Sequence, residues 1–225
     1  MINDQKMRIL LVAATSAEID PIVAEFRDVA DRGPRVNTYT YAGHDVDVLV
    51  TGVGMVATAA WCSRLLAQTR YDLGLNLGLC GSFDPALAPG QVVHVVADRI
   101  AELGAEDDEA FLSIAELHLP CEHVFVNTAP PSNDALSRLP AVSAITVNTV
   151  HGNAGSIAAV RRRFTPQVES MEGAAFMYSC LLSGIRFAQL RAVSNVVETR
   201  NRASWRLAEA VANVTSTALD VIGEL

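Results

Sequence analysis

Residues 8–14 (RILLVAA) form an unbroken apolar run, the pattern of a strand covered on both faces. Thr15 followed by Glu18 reads as a capping box, which predicts a helix from there to about residue 28. Residues 38–42 and 46–51 alternate around Gly43-His44-Asp45 and predict a hairpin. Gly52-Val53-Gly54 turns the chain into an Ala-rich helix over residues 55–68. Further strands are expected at residues 73–79, 92–97, 142–149 and 187–193. Further helices are expected at 156–163, 171–183 and 203–224. The acidic stretch 102–109 and the segment Ala129-Pro130-Pro131-Ser132-Asn133 read as loops.

Strands alternating with helices imply an α/β fold: one layered domain over residues 1–225, with a central mixed, largely parallel sheet flanked by helices. Residues 1–6 are expected to be a flexible extension. Hydrophobic residues make up 50% of the 225 and charged ones 19%, which supplies a core and argues against disorder. The formal net charge of −8 argues against a nucleic-acid binder. No run reaches the roughly 20 apolar residues of a spanning helix. Four scattered cysteines without a CxxC fit a reducing compartment, so the chain is expected to be cytoplasmic.

Ligands of such sheets bind at the carboxyl ends of strands. Glu18 lies just after the first strand, either as a general base or only as the closing member of its capping box. Gly52-x-Gly54 either cradles an anion or simply turns the chain. His118-x-x-Cys121-x-His123 lacks a fourth metal partner and reads as structural or exposed; no metal is expected. Arg161-Arg162-Arg163 reads as a cationic helix end. Glu169 and Glu172, three apart, are placed on one helix face, where a carboxylate suits the vicinal hydroxyls of a ribose or merely favours the helix dipole. Asn195 ends a strand and presents donor and acceptor together, or forms an Asx turn.

Five segments in order resemble the nucleoside phosphorylase/nucleosidase superfamily: MRILLVAATSAEID, VTGVGMVATAA, LNLGLCGSFDPALAPGQVV, VESMEGAAF and LRAVSNVVETRNRASW. The stretch SNVVETRNRASW is most similar to the futalosine hydrolases within it. The resemblance implies that Glu18 activates water, Glu172 binds the ribose hydroxyls, Met171 packs on the sugar and Arg191 lies near both. It implies that Asn195 contacts the leaving purine, and that Asn148, Val150 and His151 belong to the strand end that stacks on and contacts the base. Leu79 and Gly81 fall in the same pocket. The family implies no cofactor, a small-molecule nucleoside as partner, and a homodimer or higher homo-oligomer.

Two departures from the family refine the expectation. Adenine-specific nucleosidases carry Asp where this chain has Asn195; a carboxamide suits a 6-oxopurine. Hexameric phosphorylases carry Arg and Ser or Thr where Asn76 and Leu79 stand, so a phosphate dianion would lose its partners. Hydrolysis of futalosine to hypoxanthine is therefore expected, with Arg200 and Arg202 as candidate partners for its benzoate or as a solvated loop. The alternatives are a methylthioadenosine or inosine enzyme of the same fold, and a non-catalytic nucleoside binder.

Overall fold

The computed structural model describes residues 6–31, 33, 35–108 and 110–225. In chain order the elements are β1 (Arg8–Ala13), α1 (Ser16–Val23), β2 (Arg27–Asp31), β3 (Val36–Tyr41), β4 (His44–Val50), α2 (Met55–Gln68) and β5 (Leu73–Ser82). They continue with β6 (Val92–Ile100), β7 (Gly104–Asp107), β8 (Ala110–Ser113), β9 (Val124–Val126), α3 (Asp134–Ser137) and β10 (Ala141–Thr146). The rest are α4 (Ala154–Phe164), β11 (Val168–Ser170), α5 (Gly173–Ser183), β12 (Arg186–Val196) and α6 (Leu207–Gly223). The expected extension at residues 1–6 lies outside the described residues except for Lys6, whose Nζ pairs with Asp45 at 2.8 Å.

A ten-stranded mixed sheet runs β11-β10-β6-β12-β5-β1-β4-β3-β2, with β9 beside β6. Pairing is parallel where β1 meets β4 and β5 and where β12 meets β5, and antiparallel along β2, β3 and β4. β11 returns to β5, which closes a ring through β10, β6 and β12. Alternate residues of β1 feed opposite cores, as strand geometry requires. Ile9, Leu11 and Ala13 pack with α1, α3 and α6, while Leu10 and Val12 pack with α2 and α5. That double cover is why the run is continuously apolar.

Several expected elements end early. The first helix stops at Val23 rather than near residue 28, because Phe26 turns its ring onto Tyr39 and Tyr41 and residues from Arg27 pair with β3. The strand expected over 142–149 stops at Thr146, where the Glu102 carboxylate takes the N–H groups of Asn148 and Thr149. The acidic loop carries the small β7–β8 hairpin instead. The last helix begins at Leu207, after a short 3₁₀ turn and an extended Trp205, since the Arg206 N–H is held by the Ser194 carbonyl at 2.8 Å. No helix among the described residues is long and apolar enough to cross a membrane.

Candidate active site

Strand ends meet at one cavity of about 620 Å³. β1 delivers Thr15 and Glu18, β5 delivers Leu79, Cys80 and Gly81, and β12 delivers Ser194 and Asn195. Although β11 runs antiparallel to β5, it meets only the last two residues of that strand, with Glu169 opposite Gly81. Their carboxyl ends therefore converge, adding Glu169, Met171 and Glu172. The loop after β10 adds Val150 and His151, and the 3₁₀ turn with α6 adds Arg202 and Trp205.

Glu18 closes its capping box and also faces the cavity. Its Oε2 accepts from the Thr15 N–H at 3.0 Å and hydroxyl at 2.8 Å, and its Oε1 accepts from the Leu79 N–H at 3.3 Å. The structural and pocket-lining readings of this residue thus hold together. Strand β5 tolerates the approach because residue 78 is glycine. A Cβ there would lie 2.9 Å from Glu18 Oε1 and 3.1 Å from Arg191 Nη1.

Glu172 is only 8% exposed and stands at the N-terminal boundary of α5, but its side chain turns away from the helix: its Oε1 accepts from the Gly54 N–H at 3.0 Å. Burial pushes its carboxyl above the usual range, while the Arg191 guanidinium and the Gly54 N–H pull it back. Gly54 holds a left-handed φ of 100°, open to glycine. The Gly52-x-Gly54 turn therefore cradles a carboxylate of this chain.

Arg191 is fully buried behind the cavity, donating from Nη2 to Asn76 Oδ1 at 2.5 Å. The Asn76 amide in turn donates to the Val12 carbonyl at 3.0 Å. Asn76 thus holds the arginine and lies beneath the pocket. Ser194 donates its hydroxyl to Asn195 Oδ1 at 2.7 Å, and Asn195 Nδ2 donates to the Val196 carbonyl at 3.0 Å. A carboxamide nitrogen has two hydrogens, so one is left for a ligand.

Glu169 and Glu172 do not share a helix face. Glu169 lies in β11, bonded to His151, because the run VES pairs with β10 before α5 begins. Two further expected residues stand away from the cavity. Asn148 turns its side-chain amide to Glu102 at 3.0 Å. Arg200 packs against Gly152 and over the Trp205 ring. Arg202 stacks on the same ring and lines the cavity. Trp205, Cys80, Val53, Leu207 and Val211 line it too and were not singled out as site residues, because isolated apolar positions carry no chemical signature in a sequence. Among the described residues no three His, Cys, Asp or Glu side chains gather as metal ligands do.

Fold and relatives together define the class: an enzyme, an N-glycosyl hydrolase. Residues 8–223 match the phosphorylase superfamily, and the chain belongs to it. It is 31% identical to the futalosine hydrolase of Streptomyces coelicolor over 97% of this chain and 95% of the relative. It is 26% identical to the 5′-methylthioadenosine/S-adenosylhomocysteine nucleosidase of Lysinibacillus sphaericus over 97% of this chain and 100% of that one. The futalosine hydrolase structure of Helicobacter pylori superposes with a TM-score of 0.83 at 16% identity, covering 97% of this chain and 98% of that one, which shows a shared fold.

Proposed function

We propose that this chain hydrolyses the N-glycosidic bond of futalosine, giving hypoxanthine and dehypoxanthinyl futalosine. One arrangement carries the reading: Glu18 and Glu172 face a single cavity, with the Arg191 guanidinium behind them and Asn195 at the neighbouring strand end. Similarity to futalosine hydrolases over nearly the whole chain supports the choice of substrate.

Bond cleavage at C1′ develops oxocarbenium character on the ribose. Glu18, held by Thr15 and the Leu79 N–H, takes a proton from the attacking water. Glu172 accepts from the 2′- and 3′-hydroxyls, and Met171 packs on the sugar beside it. Burial raises the Glu172 carboxyl, and the Arg191 guanidinium offsets part of that cost. Asn195, its amide oriented by the Ser194 hydroxyl, donates to the 6-oxopurine edge. Val150 and His151 flank the base. Arg202 lies at the cavity wall where the benzoate is to be held. Asn76 offers the cavity no cation for a phosphate, which favours water as nucleophile. The enzyme is read as a cytoplasmic homo-oligomer, which sedimentation can test.

The decisive assay is free-base release from futalosine, inosine and methylthioadenosine, with and without phosphate. Hypoxanthine from futalosine at a rate independent of phosphate is the expected result. Preference for methylthioadenosine, a requirement for phosphate, or no release would each overturn the reading.

A further inference from the structure

Asn195 leaves the departing purine without an acid. A carboxamide donates a hydrogen bond but holds no transferable proton near neutral pH. The other groups on the cavity are committed elsewhere. Glu18 receives the proton of water. Glu172 is engaged by the Gly54 N–H and assigned to the sugar. Burial pushes the Cys80 thiol up to about 12. What remains is His151 with Glu169.

These two lie at the same end of the cavity as Asn195. Gly81 pairs with Asn195 on one side and with Glu169 on the other. A Cβ on Gly81 would sit 3.4 Å from Asn195 Nδ2 and 3.6 Å from Glu169 Cγ. Glu169 is 3% exposed, and its two oxygens meet one residue: the His151 N–H at 3.0 Å and Nδ1 at 2.6 Å. A carboxylate only accepts, so Nδ1 carries the hydrogen and Nε2 is the free nitrogen of the ring. Phe83 meets the imidazole edge-on at 6.1 Å. A buried carboxylate is costly unless hydrogen-bonded, and the two His151 contacts meet that need while fixing the ring.

The geometry points to His151, positioned by Glu169, as the acid that protonates the departing base; this rests on the nucleosidase reading of the cavity. As the C1′–N9 bond breaks, its electron pair passes to the purine, and Nε2–H gives its proton to a lone pair on the purine. The water oxygen bonds to C1′ and its proton goes to Glu18. The enzyme's charge is unchanged overall, and the proton returns from Glu18 to His151 through solvent. Charged groups around the ring are Glu169 on β11, Glu18 and Glu172 across the cavity, Arg202 on its wall, Arg200 against Gly152 and Arg161 beside Phe83.

The test compares wild type, His151→Gln and Glu169→Gln on futalosine from about pH 5 to 9, and on 4-nitrophenyl β-D-riboside, whose leaving group needs no proton. His151→Gln should lower kcat on futalosine by about 10²-fold or more, with a smaller change in KM, and should abolish the alkaline fall of kcat. Its loss on the nitrophenyl riboside should be far smaller. Glu169→Gln should likewise lower kcat on futalosine more than on the nitrophenyl riboside, since it frees the ring that Glu169 holds. Equal losses on both substrates, or an alkaline fall that survives His151→Gln, would overturn the assignment. The pH profile alone decides if wild type ignores the riboside. If wild type releases no base from futalosine, the substrate reading fails instead, and the same comparison is made on the nucleoside that it cleaves.

Discussion

Glu18 shows how one side chain serves the fold and the chemistry at once. Its Oε2 closes the start of α1, and its Oε1 is aimed by the Leu79 N–H. Glu18→Gln keeps the shape and most of these contacts but loses the base. Turnover should fall about 10²-fold or more while substrate still binds, measured by single-turnover hypoxanthine release. Near-normal release would remove Glu18 from the mechanism. Asn195→Asp should lower kcat/KM for futalosine relative to its 6-amino counterpart, since an ionised carboxylate accepts where the amide donated. An unchanged ratio would mean that this residue does not read the base. The capping box of Glu18 was legible from four residues of sequence. Its contact with Leu79 was not, because that depends on β5 lying beside β1.

At the scale of elements, β5 is the spine of the site. Its glycine at 78 leaves the space that Glu18 and Arg191 occupy. Gly78→Ala forces both groups aside, so activity should fall about 10²-fold for a displacement near 1 Å, with a stability loss of about 1–3 kcal/mol. Paired activity and urea-unfolding measurements check this, and intact activity would show that the strand yields elsewhere. The turn before α6 separates two arginines that the sequence left equivalent. Arg202→Ala should raise KM for futalosine, costing about 1.5–3 kcal/mol, and leave inosine hydrolysis unchanged. Arg200→Ala should leave both substrates unaffected, since Arg200 does not line the cavity. Equal behaviour of the two variants would send the search for the benzoate partner to another cation. The expected continuous helix over 203–224 hid this difference. Helical periodicity does not report that the Arg206 N–H is bonded to the Ser194 carbonyl.

Over the whole molecule, two buried groups on β6 couple stability to pH in opposite senses. Burial holds His94 down to about 4. Between its unfolded value of ~6.5 and 4, the unfolded chain binds a proton that the folded one refuses, so stability falls as pH falls, by about 2 kcal/mol at pH 5. Burial raises Asp98 to about 6 despite its bonds to Gln189 and Thr146. Its contribution is fully present below ~4 and is lost as pH rises through 6. The His94 effect is therefore read by difference. Urea unfolding of wild type and His94→Gln at pH 7 and 5 should show the extra acid loss only in wild type. Parallel curves would assign the acid sensitivity to other groups.

By itself, the sequence determined what short-range periodicity and residue chemistry can fix. The doubly covered β1, the helix over Met55–Gln68 and the order of β-α units follow from runs and alternations of apolar residues. The segments VESMEGAAF and LRAVSNVVETRNRASW marked the family, since side-chain type at close spacing survives in the linear text. Tertiary structure decided what depends on strands distant in sequence. Closure of the sheet through β11 and β5 moved Glu169 off the expected helix and set it against His151. The Glu102 carboxylate drew Asn148 away from the cavity, and Asn76 was turned to anchor Arg191. Such long-range pairings are made by packing and hydrogen-bond satisfaction across the assembled sheet. No local window of the chain contains both partners, so the residues alone left them open.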